Sequence, residues 1–210
     1  MCFNKKLSLF SFLFGIISSI LLIKYGGLQY EQFNNAIGYF FVFVCMVQLL
    51  EYFMWVDIDC KNGLNNTSTI LMPLIVYSQP VIYYGLLNYF ASNKSNNTID
   101  NNILLVCNIA YMLFLLYRYN NLTRTCTTVN NENHLSWGFE NFDIGILYLI
   151  MMILNSVNYL DNLNVQTMLI VTSSLLLISN LYTKKNLGEI WCFISTGTPL
   201  VVLLSQYLMK

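Results

Sequence analysis

Seven continuous apolar runs, set apart by polar, asparagine-rich pieces, dominate this chain. They are Leu7–Ile23, Ala36–Val56, Ser68–Phe90, Ile103–Tyr117, Ile144–Leu160, Val165–Tyr182 and Leu187–Leu208. A helix needs about 20 mostly apolar residues, with a range of roughly 17–25, to cross the hydrocarbon of a bilayer. The fourth run is the shortest and carries Asn108. In lipid every backbone N–H and C=O must be paired inside the protein, so only helices and closed barrels cross it. A barrel would show short segments of alternating apolar and polar residues, whereas these runs are unbroken. The pattern predicts an all-α integral membrane bundle of seven transmembrane helices, a single domain over residues 1–210.

Composition closes off the other classes. The 210 residues are 56% hydrophobic and 10% charged, against roughly 25% charged in an ordinary soluble domain. That is too little charge to coat a water-facing surface, and too much hydrophobicity for disorder. Ten basic and ten acidic residues cancel, so there is no basic patch for nucleic acid. The expected partner is the lipid bilayer. Asn62–Thr67, Asn93–Asn102, Asn130–Asn133 and Asp161–Asn164 read as loops. The last is so short that it forces the fifth and sixth runs into an antiparallel hairpin. Arg118–Phe142 is the longest connection and holds the only histidine, His134. No repeat of fixed period supports inverted-repeat symmetry. The first run, behind Lys5 and Lys6, exceeds a signal peptide's apolar core and lacks a small-x-small cleavage site, so it is expected to be retained. Cys2 in place of glycine rules out N-myristoylation.

With seven spans the termini lie on opposite sides. The N-terminal side carries Lys5, Lys6, Lys61, Arg118, Arg124, Lys184 and Lys185; the other carries Lys24, Lys94 and Lys210. Orientation follows the Lys/Arg bias, which places the N-terminus in the cytosol and the C-terminus opposite. Cys2, Cys60 and Cys126 then face the reducing side, while Cys45, Cys107 and Cys192 lie within spans. All six are expected as free thiols. There is no Cys-x-x-Cys or Cys/His spacing for a metal. Cys2, Cys60 and Cys192 do share the inner side, where three thiolates would suit a metal or redox centre; small apolar fillers are the simpler reading. Asn65, Asn66, Asn93, Asn96 and Asn121 begin glycosylation sequons, of which only those on one side of a membrane would meet the enzyme.

Ionisable groups inside a span cost about 2.5–3.5 kcal/mol each on insertion scales, so their presence suggests a role. On the second span Cys45, Gln48, Glu51 and Trp55 are spaced 3, 3 and 4, one helical face. On the seventh, Glu189, Cys192, Thr196 and Pro199 repeat the pattern. Those spans run in opposite directions, so Glu51 and Glu189 fall at similar depth. Gln79-Pro80 sits near the middle of the third span, where proline kinks the helix and the amide needs a partner. Arg118 closes the fourth span as a counter-ion for either glutamate. Glu51, Glu189, Gln79, Gln48, Arg118 and Cys192 thus form a candidate site for a small molecule, proton or small cation. The alternative is a structural or assembly protein, with both glutamates reaching back to water and Trp55, Trp137 and Trp191 as an aromatic belt. No Ser/His/Asp set, His-rich metal motif or phosphate-cradling glycine loop is present. No catalytic residues, metal ligands or cofactor are therefore expected. The seventh span has no interior lysine for a retinal Schiff base.

The start Met1-Cys2-Phe3, the Gln48-x-x-Glu51 stretch, the Gln79-Pro80 pair and Trp191-Cys192 resemble an uncharacterised family of multi-pass membrane proteins found in bacteria and large DNA viruses. Its members typically begin Met-Cys-Trp and carry Gln-Pro in a middle span and Trp-Cys early in the last; Phe3 departs from that pattern. The resemblance implies about seven spans and a membrane location, lends no reaction, and groups Cys2, Glu51, Gln79, Pro80, Trp191 and Cys192 as one cluster.

Overall fold

The computed structural model describes residues 4–92, 96, 98–122, 125–130, 134–137, 142–182 and 195–208; for 142–144 and 175–182 only the backbone is described. The fold is helical, with 82% of the described residues in helix. α1 spans Lys5–Tyr25, α2 Glu31–Val56 behind a 3-10 turn at Leu28–Tyr30, α3 Leu64–Ala91 and α4 Asn101–Asn120. A two-residue antiparallel pair follows, β1 (Thr128–Val129) on β2 (Leu135–Ser136). α5 covers Phe142–Ser156 and ends in a 3-10 turn, Val157–Tyr159; α6 is Leu163–Tyr182 and α7 Thr198–Leu208. Among the described residues four helical stretches are long and apolar enough to cross a membrane: α1, Leu28–Val56, α3 and α4. The seventh apolar run differs from its expectation, because a turn at Thr196–Gly197 precedes α7 and the helix does not run unbroken to Leu208.

α1 shows what solvent this fold is built for. Its buried face is Ser8, Ser11, Gly15, Ser18, Ser19 and Leu22, while Phe10, Leu13, Phe14, Ile17 and Ile20 point outward. A water-soluble helix has the opposite pattern. Small residues let helix backbones approach closely in lipid, where burying apolar side chains gains little. Ser11, Ser18 and Ser19 each donate to the carbonyl four residues back, at 2.7–2.8 Å, so their hydroxyls are satisfied within the helix. Gly15 lies directly against Cys45 and Thr196, and Gly38 of α2 against Ile23 of α1, with no room for a Cβ at either.

α2 and α3 form the central antiparallel hairpin. Phe40 packs on Tyr83 and on Phe41, with Met54, Met72 and Leu87 filling the same core. α3 contains two prolines, Pro73 and Pro80, each of which removes a donor from the helical ladder. α4 braces the helix beside each. Tyr119 donates to the carbonyl of Ile70 (3.2 Å) and Tyr111 to that of Tyr77 (2.7 Å), each next to the carbonyl that the proline leaves without its donor. On α4 the apolar side chains of Ile103, Val106, Ile109 and Leu113 point outward, whereas the buried face is Leu104, Asn108, Tyr111 and Leu115.

Amide networks hold the remaining helices. Asn108 and Asn155 exchange hydrogen bonds across α4 and α5 (2.8 and 3.1 Å); Asn108 also donates to Leu104 O and Asn155 to Pro80 O. At the α1–α2 turn, Asn34 Oδ1 accepts from Asn164 (2.8 Å) and from Gln206 (2.7 Å). Gln206 also donates to Asn164 Oδ1 and accepts from Gly27 N, while Asn34 donates to Gly27 O. That knot ties the starts of α2 and α6 to the end of α7. Asn158 donates to Ile99 O and accepts from Ile99 N, so α5 ends beside the α3–α4 connection, on the face opposite β1 and β2.

The other end of the bundle corrects the cysteine expectation. Cys60, in the α2–α3 loop, is bonded to Cys126, just after α4. Charge bias had put both on a reducing side, and two cysteines 66 residues apart leave no pairing signal in a sequence. Cys45 is a buried free thiol and Cys107 a partly buried one; Cys2 and Cys192 lie outside the described residues.

Candidate polar site within the bundle

The stripe expected on α2 faces the core. Cys45, Gln48 and Glu51 are buried, Gln48 at 1% and Glu51 at 0% exposure, and Trp55 is partly buried. Gln79 on α3 is likewise 0% exposed. The α2–α3 register, read from the Phe40–Tyr83 contact and the Asn65 N–H bond to Asp57, sets Gln48 and Gln79 within about one turn of the same depth. α5 supplies a third wall, where the Tyr148 hydroxyl donates to Gln79 Oε1 at 2.7 Å. One turn along α2, Cys45 meets Gly15 of α1, which also lies against Thr196, just before α7.

The hydrogen bonding of this region is incomplete. Among the described residues Gln48 Nε2, Gln79 Nε2, Trp55 Nε1 and Thr198 Oγ1 are buried without a hydrogen-bond partner. Thr198 begins α7 at the break in the last run, and irregular backbone at membrane depth is tolerated where it is buried in protein or lines a cavity. Donors left bare in a dry interior cost about 1–3 kcal/mol each, and buried water commonly fills that role.

Of the other residues expected at the site, Arg118 is partly exposed in the last turn of α4 and forms no ion pair among the described residues. Glu189 and Cys192 lie outside the described residues, as does Trp191. Tyr148 was not anticipated, since a lone tyrosine in an apolar run carries no signal. Asn34, Asn108, Asn155, Asn164 and Gln206 were also missed as a set. Each is one amide per helix, and its partner is legible only once the helices pack.

Among the described residues no group of three or more His, Cys, Asp or Glu side chains is placed to hold a metal. Asp57, which closes α2, is a carboxylate held by backbone N–H groups. It accepts from the backbone N–H of Asn62 (2.9 Å), Lys61 (2.9 Å) and Asn65 (3.2 Å). Those bonds, that of Asn62 foremost, hold its carboxyl below the usual range.

An all-helical fold with lipid-type exteriors and a buried polar centre defines a helical membrane protein. No family model, curated protein or solved structure matches the chain.

Proposed function

We propose that the protein is a seven-span membrane bundle that handles a proton or small cation at a hydrated polar site around Gln48, Glu51 and Gln79. The observation that carries this reading is a contrast within the molecule. Amides that join helices are engaged at both ends: Asn34, Asn108, Asn155, Asn164 and Gln206 all donate and accept. Gln48, one turn from the buried Glu51, and Gln79 keep bare amide nitrogens. Water supplies acceptors to those nitrogens and links them to Glu51, the one ionisable carboxylate among them. Intramembrane carboxylates of this kind mark ion and proton paths.

The span count adds α5, α6 and the last apolar run, Leu187–Leu208, to the four long helices. The α5 end bonded to the α3–α4 connection supports a fifth crossing. A purely structural or assembly role draws support from the saturated amide networks, which need no ligand.

The test is flux in sealed liposomes holding a pH- or cation-sensitive dye, with the full-length protein reconstituted. Protein liposomes are expected to dissipate an imposed proton or cation gradient faster than empty ones. Glu51→Gln should abolish the difference while the variant stays monodisperse and helical. Flux equal to empty liposomes, or undiminished flux in Glu51→Gln, rejects the reading.

A further inference from the structure

The surface around Cys60 and Cys126 is heavily tied. Asp57 gathers the backbone N–H groups of Lys61 and Asn62 in the α2–α3 loop and of Asn65 at the start of α3. Asn65 donates to Thr127 O (2.9 Å) and accepts from Thr127 N (3.0 Å), and the hydroxyls of Thr69 and Thr127 meet at 2.8 Å. Leu135, on β2, is fully buried in the bundle core. Cys60 itself sits in the left-handed region, at φ 59°, a conformation that a non-glycine residue keeps only where its surroundings impose it. The bond therefore joins two segments already in register, with Cα atoms 6.4 Å apart, within the range a disulfide accepts.

Disulfides persist in oxidising compartments and are rare in the cytosol. α1 to α4 alternate in direction, so the start of α1 lies on the same face as Cys60 and Cys126. We infer that this N-terminal face lies on the oxidising, non-cytosolic side of its membrane, with the Asn34–Asn164–Gln206 knot at the cytosolic side. The Lys/Arg excess argues for the opposite orientation. That excess is a statistical bias on insertion. A disulfide set within a fully bonded loop is a chemical state that depends on the compartment itself.

Two exposed lysines report the faces: Lys61 beside Cys60, and Lys24 at the end of α1. Right-side-out sealed membranes carrying the full-length protein are treated with a membrane-impermeant amine reagent, and opened membranes serve as the control in which both lysines react. In parallel, the protein is denatured and alkylated without reduction, then mapped by mass spectrometry. Expected are Lys61 modified and Lys24 protected in sealed membranes, with Cys45 and Cys107 alkylated and Cys60 and Cys126 not. Lys24 modified in sealed membranes, Lys61 protected, or alkylated Cys60 and Cys126 overturns the inference.

Discussion

At the scale of single residues, the polar side chains of this bundle divide by what happens when each is removed. Asn155 carries three bonds, to Asn108 twice and to Pro80 O. Asn155→Leu strips the partners from Asn108 and from that carbonyl, so thermal unfolding in detergent should show a loss of about 1–2 kcal/mol. Adding Asn108→Leu should cost less than a second full increment, because the pair is lost once. Asp57 behaves differently, since its support depends on charge. Its carboxyl titrates below the ordinary value when folded, so its contribution is complete above the unfolded pKa and disappears as pH falls through the lower, folded one. Stability should be level near neutrality and fall in acid, below about pH 4. Asp57→Asn should flatten that acid limb in a pH series of melting curves; an unchanged limb would assign it to another carboxylate.

At the scale of elements, most of the helical layout was legible, because hydropathy reports length and continuity directly. The apolar run Leu7–Ile23 became α1, Lys5–Tyr25, and Ser68–Phe90 became α3, Leu64–Ala91. Helices outrun their apolar cores because polar end turns still bond along the helix at the interface. Asn108 did not break the fourth span, since Asn155 meets it. The break at Thr196–Gly197 was invisible to a hydropathy reading, which averages over one turn of backbone. The disulfide was missed because inferred orientation decided thiol state. At the site, burial of Gln48 and Glu51 followed from their shared helical face, and that of Gln79 from its mid-span depth. Tyr148 depended on how α5 packs, which periodicity does not encode. The serine and glycine stripe of α1 had a readable spacing and makes a firm prediction. Gly38→Val would drive a branched side chain into Ile23, separating α1 from α2 at about 1–3 kcal/mol. A drop in melting temperature larger than that of Tyr119→Phe, which removes the partly buried bond to Ile70 O worth about 0.6 kcal/mol, is expected. Equal drops would mean that the close α1–α2 approach matters little.

At the scale of the whole molecule, the functional reading rests on bare amides being a site and paired amides being architecture. An odd number of spans must leave the termini on opposite sides, so tags before Met1 and after Lys210 should differ in protease protection in sealed vesicles. Protection on the same side would mean an even count. Gln48 separates site from scaffold most directly. Its amide nitrogen has no protein partner among the described residues, so replacing it with methionine of similar length breaks no protein–protein bond at that nitrogen and costs the site only its hold on water. Losing a bond to water alone leaves stability level or raises it. Gln48→Met, compared with wild type for both melting temperature and liposome flux, should melt at the same temperature or higher and lose the flux. A variant that melts markedly lower while conducting normally would show Gln48 to be scaffold and would contradict a hydrated site at the centre of the bundle.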